Sequence, residues 1–99
     1  MVTKNILLVE FNEILFSRKL AEKVFKEKVE TEMNIENVFF CFDFSGVLTV
    51  THSFADEFFK ILFSNIGCDN IKDKTTFKNY SDFNKKILTM AMNNNKNIC

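Results

Sequence analysis

The chain has 99 residues, room for one domain with one modest core. Its 46% hydrophobic and 26% charged content describes a folded chain and argues against disorder throughout. Thirteen basic and thirteen acidic side chains give a net charge of +0, without the basic excess that contact with a phosphate backbone requires.

Thirteen Phe stand beside no Trp, no Pro and two Gly. The Phe excess reads first as filling for a core. Cys41, Cys68 and Cys99 are odd in number and show no C-x-x-C spacing, so they do not suggest a disulfide framework. Cys41 lies inside an apolar run and reads as a buried, reduced thiol. Met1-Val2-Thr3-Lys4 leads into an apolar run shorter than a signal peptide needs, and no stretch has the length of a membrane span. The expected compartment is the cytoplasm, with no membrane and no nucleic-acid partner.

Ile6 to Val9 and Ile14 to Phe16 are short apolar runs separated by Phe11-Asn12-Glu13, and read as two strands forming a hairpin. Ser17 has the chemistry of a helix N-cap. Behind it Leu20, Ala21, Val24, Phe25 and Val29 recur at helical spacing, and the polar stretch from Glu30 to Asn37 reads as a loop. Val38-Phe39-Phe40-Cys41-Phe42 is continuously apolar and stops at Asp43, the pattern of a central strand covered on both faces. Ser45-Gly46 breaks it, and Val47 to Val50 is a short β-branched strand.

Ser53 is expected to cap the next helix, with Ser53-x-x-Asp56 as a capping box. Ala55, Phe58, Phe59, Leu62 and Ile66 form its apolar stripe, and Gly67 stands at its end. Ile71 to Phe77 reads as a weak strand. Ser81 or Tyr80 opens a helix carrying Phe83, Ile87, Leu88 and Ala91, and residues 93–99 read as a frayed tail. The expectation is a single α/β domain over residues 1–99: a four- or five-stranded mixed sheet with about three helices packed on it. Leu20, Val24, Phe40, Phe42, Phe58, Leu62 and Ile87 should be in its core.

Chemistry is sparse. Two glycines cannot build a phosphate loop, and one histidine cannot anchor a His-rich metal site. Neither a metal nor a cofactor is expected. Asp43, Asp56 and Glu57 supply carboxylates around one loop. The acids of a first helical turn complement the helix dipole, and Asp43 can hold the Ser45-Gly46 turn. One catalytic reading survives, in which Asp43 and His52 serve an enzyme or small-ligand site at the carboxyl end of the central strand.

The run from Asp43 to Glu57, D-F-S-G-V-L-T-V-T-H-S-F-A-D-E, is the most informative. With Ser17-Arg18-x-x-Ala21 upstream, it resembles the STAS-like domain family of unknown function, with its D-F-x-G-V…F-A-D-E and S-R-x-x-A segments. That family is similar, more distantly, to the STAS domains of anti-anti-sigma factors. The resemblance implies a regulatory protein-binding module rather than an enzyme, with a histidine-kinase-like ATPase as partner. It also implies a phosphorylatable hydroxyl where the strand-to-helix loop meets the next helix. An ungapped overlay from Asp43 places His52 there, flanked by Thr51 and Ser53, so a phosphoswitch falls to one of those two hydroxyls. Thr51, His52, Ser53, Asp43 and Asp56 are therefore the candidate partner-binding or phosphorylation residues.

Overall fold

A computed structural model describes residues 2–96. Five strands and four α-helices follow in the order β1 (Val2–Leu7), β2 (Ile14–Leu15), α1 (Arg18–Val24), β3 (Val38–Asp43), β4 (Thr49–Val50), α2 (His52–Ile66), α3 (Cys68–Lys74), β5 (Thr75–Lys78) and α4 (Asp82–Asn95). The α/β class stands, but the strands are divided between two sheets and every ladder is parallel. One sheet has the order β1-β3-β5, and a two-stranded ladder joins β2 to β4.

The expected hairpin does not form. β1 pairs with β3, in register Ile6 to Phe42, while β2 pairs with β4, in register Leu15 to Val50. Parallel neighbours need crossovers, and the helices supply them. β3 lies centrally between β1 and β5, while β2 is taken up by β4 in the separate ladder. Both faces of β3 are covered, since Phe40 and Phe42 on one side and Cys41 on the other are all buried.

Ser17 caps α1 as expected, its Oγ accepting from the Leu20 N–H at 3.1 Å. The helix continues past Val24 as a π-helical turn, Phe25–Val29, and a 3₁₀ turn, Glu30–Glu32, so part of the anticipated loop is helical. The segment read as a weak strand divides at Lys74. Its first half closes α3 and only Thr75–Lys78 is β5. Ser81 caps α4, accepting from the Asn84 N–H at 3.1 Å. That helix runs to Asn95, whose side chain is buried, so the expected fraying does not begin at 93; residues 97–99 lie outside the described residues. Cys41 is a free buried thiol, whereas Cys68 is disulfide-bonded, which the odd cysteine count did not foretell.

Much of the Phe excess forms one cluster. Phe42 meets Phe58 edge-on at 5.0 Å and stacks on Phe77 at 5.2 Å; Phe58 in turn stacks on Phe54 at 5.5 Å. Val24, Phe40, Leu62 and Ile87 are buried as expected, while Leu20 is only half-buried against them. The cluster joins β3 and β5 to α2, and α2 packs in turn on α1 and α4. No helix among the described residues is long and apolar enough to cross a membrane.

Phe58 is 0% exposed and touches ring partners on β3, β5 and its own helix. Phe58→Ala should cost about 3–5 kcal/mol, because the rings around it are held by separate elements and can collapse only partly into the space. A urea midpoint equal to that of the wild type would show that this cluster does not hold the layers together.

Candidate functional site

The end of the molecule where α2 begins is held by hydrogen bonds from three directions. Thr51, and not Ser53, is the N-cap of α2, its Oγ1 accepting from the Phe54 N–H at 3.3 Å. The same hydroxyl donates to the Leu15 carbonyl at 3.3 Å, and the Thr51 N–H donates to that carbonyl at 2.9 Å. Thr51 is half-buried as a result. The cap falls there because the β2–β4 ladder ends at Val50, and the next residue still has an extended backbone, with φ −87° and ψ 161°.

His52 and Ser53 follow as the first exposed residues of the helix. Val50, the last residue of β4, is buried, its N–H donating to Asn84 Oδ1 of α4 at 3.1 Å. Of the candidate residues at this junction, His52 and Ser53 are exposed and Thr51 is half-buried.

The anticipated capping box is absent. Asp56 faces Arg18 of α1, whose Nη1 stands 3.0 Å from Asp56 Oδ2 and 3.3 Å from Glu57 Oε1. Asn95 Nδ2 donates to Asp56 Oδ1 at 3.0 Å, and Arg18 first, then Asn95, hold the carboxyl below its ordinary range. The guanidinium is correspondingly raised, mainly by Asp56. The two motif segments seen in the sequence thus meet in space, with Arg18 of one clamped on Asp56 and Glu57 of the other. Ala21 and Ala55, one from each segment, are both 0% exposed, small residues that let α1 and α2 approach.

Asp43 lies elsewhere in the network. Its Oδ1 accepts from the Ser45 N–H at 2.9 Å, the Ser45 hydroxyl at 2.7 Å and Asn79 Nδ2 at 3.0 Å. Asn79, then Ser45, keep its carboxyl below the usual range. The turn it anchors runs from Phe44 to Val47, closed by the Val47 N–H to the Phe44 carbonyl at 3.0 Å. Gly46 takes φ 81° there, and an added Cβ would stand 3.3 Å from Val9 Cγ2. No hydrogen bond or ion pair joins Asp43 to His52 among the described residues. No group of three or more potential metal ligands occurs among those residues either.

The segments hydrogen-bonded to this junction carry apolar side chains left in solvent. Ile14 and Phe16 are 45% and 54% exposed, while Leu15 between them points inward. Leu48, 65% exposed, is tied beside them by its N–H to the Glu13 carbonyl at 2.8 Å. Phe83, 62% exposed, is in the first turn of α4, which Asn84 fastens to β4. These residues, and Arg18, were missed as a set by the sequence reading. Asn84 offered one clue, being a polar residue in phase with Ile87, Leu88 and Ala91 on the buried stripe of α4.

Because its hydroxyl is engaged on both sides, Thr51→Ala should destabilise by about 1–2 kcal/mol. Ser53→Ala should stay within about 0.5 kcal/mol of the wild type, as surface changes away from caps do. Chemical denaturation of both variants checks this, and the reverse order would return the cap to Ser53.

A family model described as a STAS-like domain of unknown function (DUF4325) matches residues 21–85 of the 99. The match takes in α1 from Ala21, the whole loop around Thr51 and the first turn of α4. No curated protein and no solved structure matches the chain.

Proposed function

We propose, from the premise that the chain belongs to the family of STAS-like domains of unknown function, that it is a regulatory protein-binding module and not an enzyme. Its contact face is the end of the molecule where α2 begins. The observation that carries this reading is the exposure of Ile14, Phe16, Leu48 and Phe83, all at least 45%, on segments hydrogen-bonded to the strand-to-helix junction that starts α2. Single exposed apolar residues are ordinary, but several gathered on one rigid rim are the mark of a surface meant to be covered.

The partner is a protein, in our reading a histidine-kinase-like ATPase, as the likeness to anti-anti-sigma factors implies. A chain with a net charge of +0 suits a nucleic-acid partner poorly. The compartment we assign is the cytoplasm, and the module carries no resident cofactor.

Ser53 is the hydroxyl we assign to the phosphoswitch. Thr51 is half-buried and uses its oxygen as donor and acceptor, so a kinase would have to open the β2–α2 junction to reach it. Ser53 is exposed and stands in the first turn of a 15-residue helix. A phosphate there meets the positive end of the helix dipole and unpaired N–H groups. It would add about −1.5 to −2 charges in the middle of an otherwise apolar contact rim. Bringing a partner onto that rim would then require stripping water from the phosphate, and the complex should come apart.

Calorimetric titration against a histidine-kinase-like ATPase domain from the same genome tests both parts. Leu48→Asp should weaken binding at least about tenfold by placing a charge among desolvated apolar contacts. Ser53→Asp should do likewise, while Ser53→Ala should bind as the wild type does. Wild-type affinity in Ser53→Asp would rule out the switch, and wild-type affinity in Leu48→Asp would rule out the surface.

A further inference from the structure

A concave site opens between α3, β5 and α4, away from the contact face, with none of Ile14, Phe16, Leu48, His52 or Ser53 in its walls. Its volume is about 350 Å³, within the range of small-ligand clefts. The floor is apolar: Phe59 and Ile71 are buried beneath it, with Phe77, Leu88 and Met92 beside them. Two cations stand at the rim from opposite walls, Lys72 on α3 and Lys85 on α4, and no acidic side chain lines the cleft.

Lys72 and Lys85 enter no ion pair among the described residues, although the chain as a whole is electrically balanced. The hydroxyls of Thr76, Tyr80 and Thr89, which also line the cleft, have no hydrogen-bond partner among the described residues. Donors without acceptors therefore gather around an apolar floor. The floor would gain from covering by hydrocarbon, at about 25 cal/mol per Å² of apolar surface removed from water. The rim asks for an anion. Neither glycine lines the cleft, so it lacks the glycine-rich backbone cradle that a nucleotide's phosphates use.

We infer that this cleft binds a small amphipathic carboxylate, a medium-chain fatty acid in chemical class. The chain lies on Phe59, Phe77, Leu88 and Met92, and the carboxylate reaches Lys72 and Lys85, with the rim hydroxyls donating to its remaining lone pairs. Two charge-assisted contacts at the mouth and an apolar interior give such a ligand an orientation that a neutral alcohol of the same length would lack.

The test uses decanoate, held below its micelle concentration, with 1-decanol as the uncharged control, both titrated into the full chain and followed by amide chemical shifts. Decanoate should give saturable shifts within residues 71–77 and 85–92, and decanol should bind at least tenfold more weakly. Lys72→Glu with Lys85→Glu should lower decanoate affinity at least tenfold and leave decanol affinity unchanged. Both lysines are exposed; should the double charge reversal disturb folding, the single variants Lys72→Gln and Lys85→Gln serve in its place. Absence of saturable shifts, shifts confined to another part of the chain, or equal affinity for acid and alcohol in every variant would overturn the assignment.

Discussion

The structure of the proposed contact face depends on Thr51. One residue follows a strand, caps a helix and ties both to a neighbouring strand. Its N–H and hydroxyl both donate to the Leu15 carbonyl, its hydroxyl accepts from Phe54, and its own carbonyl accepts from Ala55 at 3.0 Å. The β2–β4 ladder is only two residues long on each side, too short to hold by itself. Thr51 below it and Asn84 beside it make it a fixed platform. Ile14 and Phe16 stay exposed on that platform because Leu15 between them turns its side chain inward, at 0% exposure, beside Val50 at 1%.

Behind the platform, the phenylalanine cluster gives α2 a fixed seat. Phe54, Phe58 and Phe59 are each 0% exposed, so the first turn of the helix cannot swing without lifting aromatic area out of the core. The Arg18 clamp on Asp56 and Glu57 lies on the opposite, wetter side. Being exposed, it contributes little to stability and serves better as an orienting contact between α1 and α2. A rigid helix end with an apolar rim suits recognition of a preformed partner surface. A phosphate at Ser53 would change that rim without changing the fold beneath it.

Periodicity was enough to place α1, α2 and α4, but not α3, part of which was read as a strand. Ser17 and Ser81 were readable as caps, and the apolar run ending at Asp43 was readable as the central strand, because each signal is local. The strand partners were not readable. Ile6 to Val9 and Ile14 to Phe16 look like a hairpin in sequence, yet each pairs with a strand far along the chain, β1 with β3 and β2 with β4. The cap at Thr51 was mistaken for Ser53 since both hydroxyls suit an N-cap. What decides between them is where the β2 ladder stops, a contact thirty-six positions away in sequence. Arg18 and Asp56 were both visible as motif residues, but nothing in either segment announces that they meet. The exposed rim was invisible for a simpler reason: Phe16 and Phe83 fit the apolar patterns of their elements, and only the packed structure shows that nothing covers them.

Amide hydrogen exchange on the complex with a histidine-kinase-like ATPase domain tests the central claim most directly. The account predicts slowed exchange on binding within residues 13–17, 47–54 and 82–85, with the α3–β5 cleft unchanged. Protection confined to the α3–β5 region, or an unchanged pattern around Thr51, would contradict it.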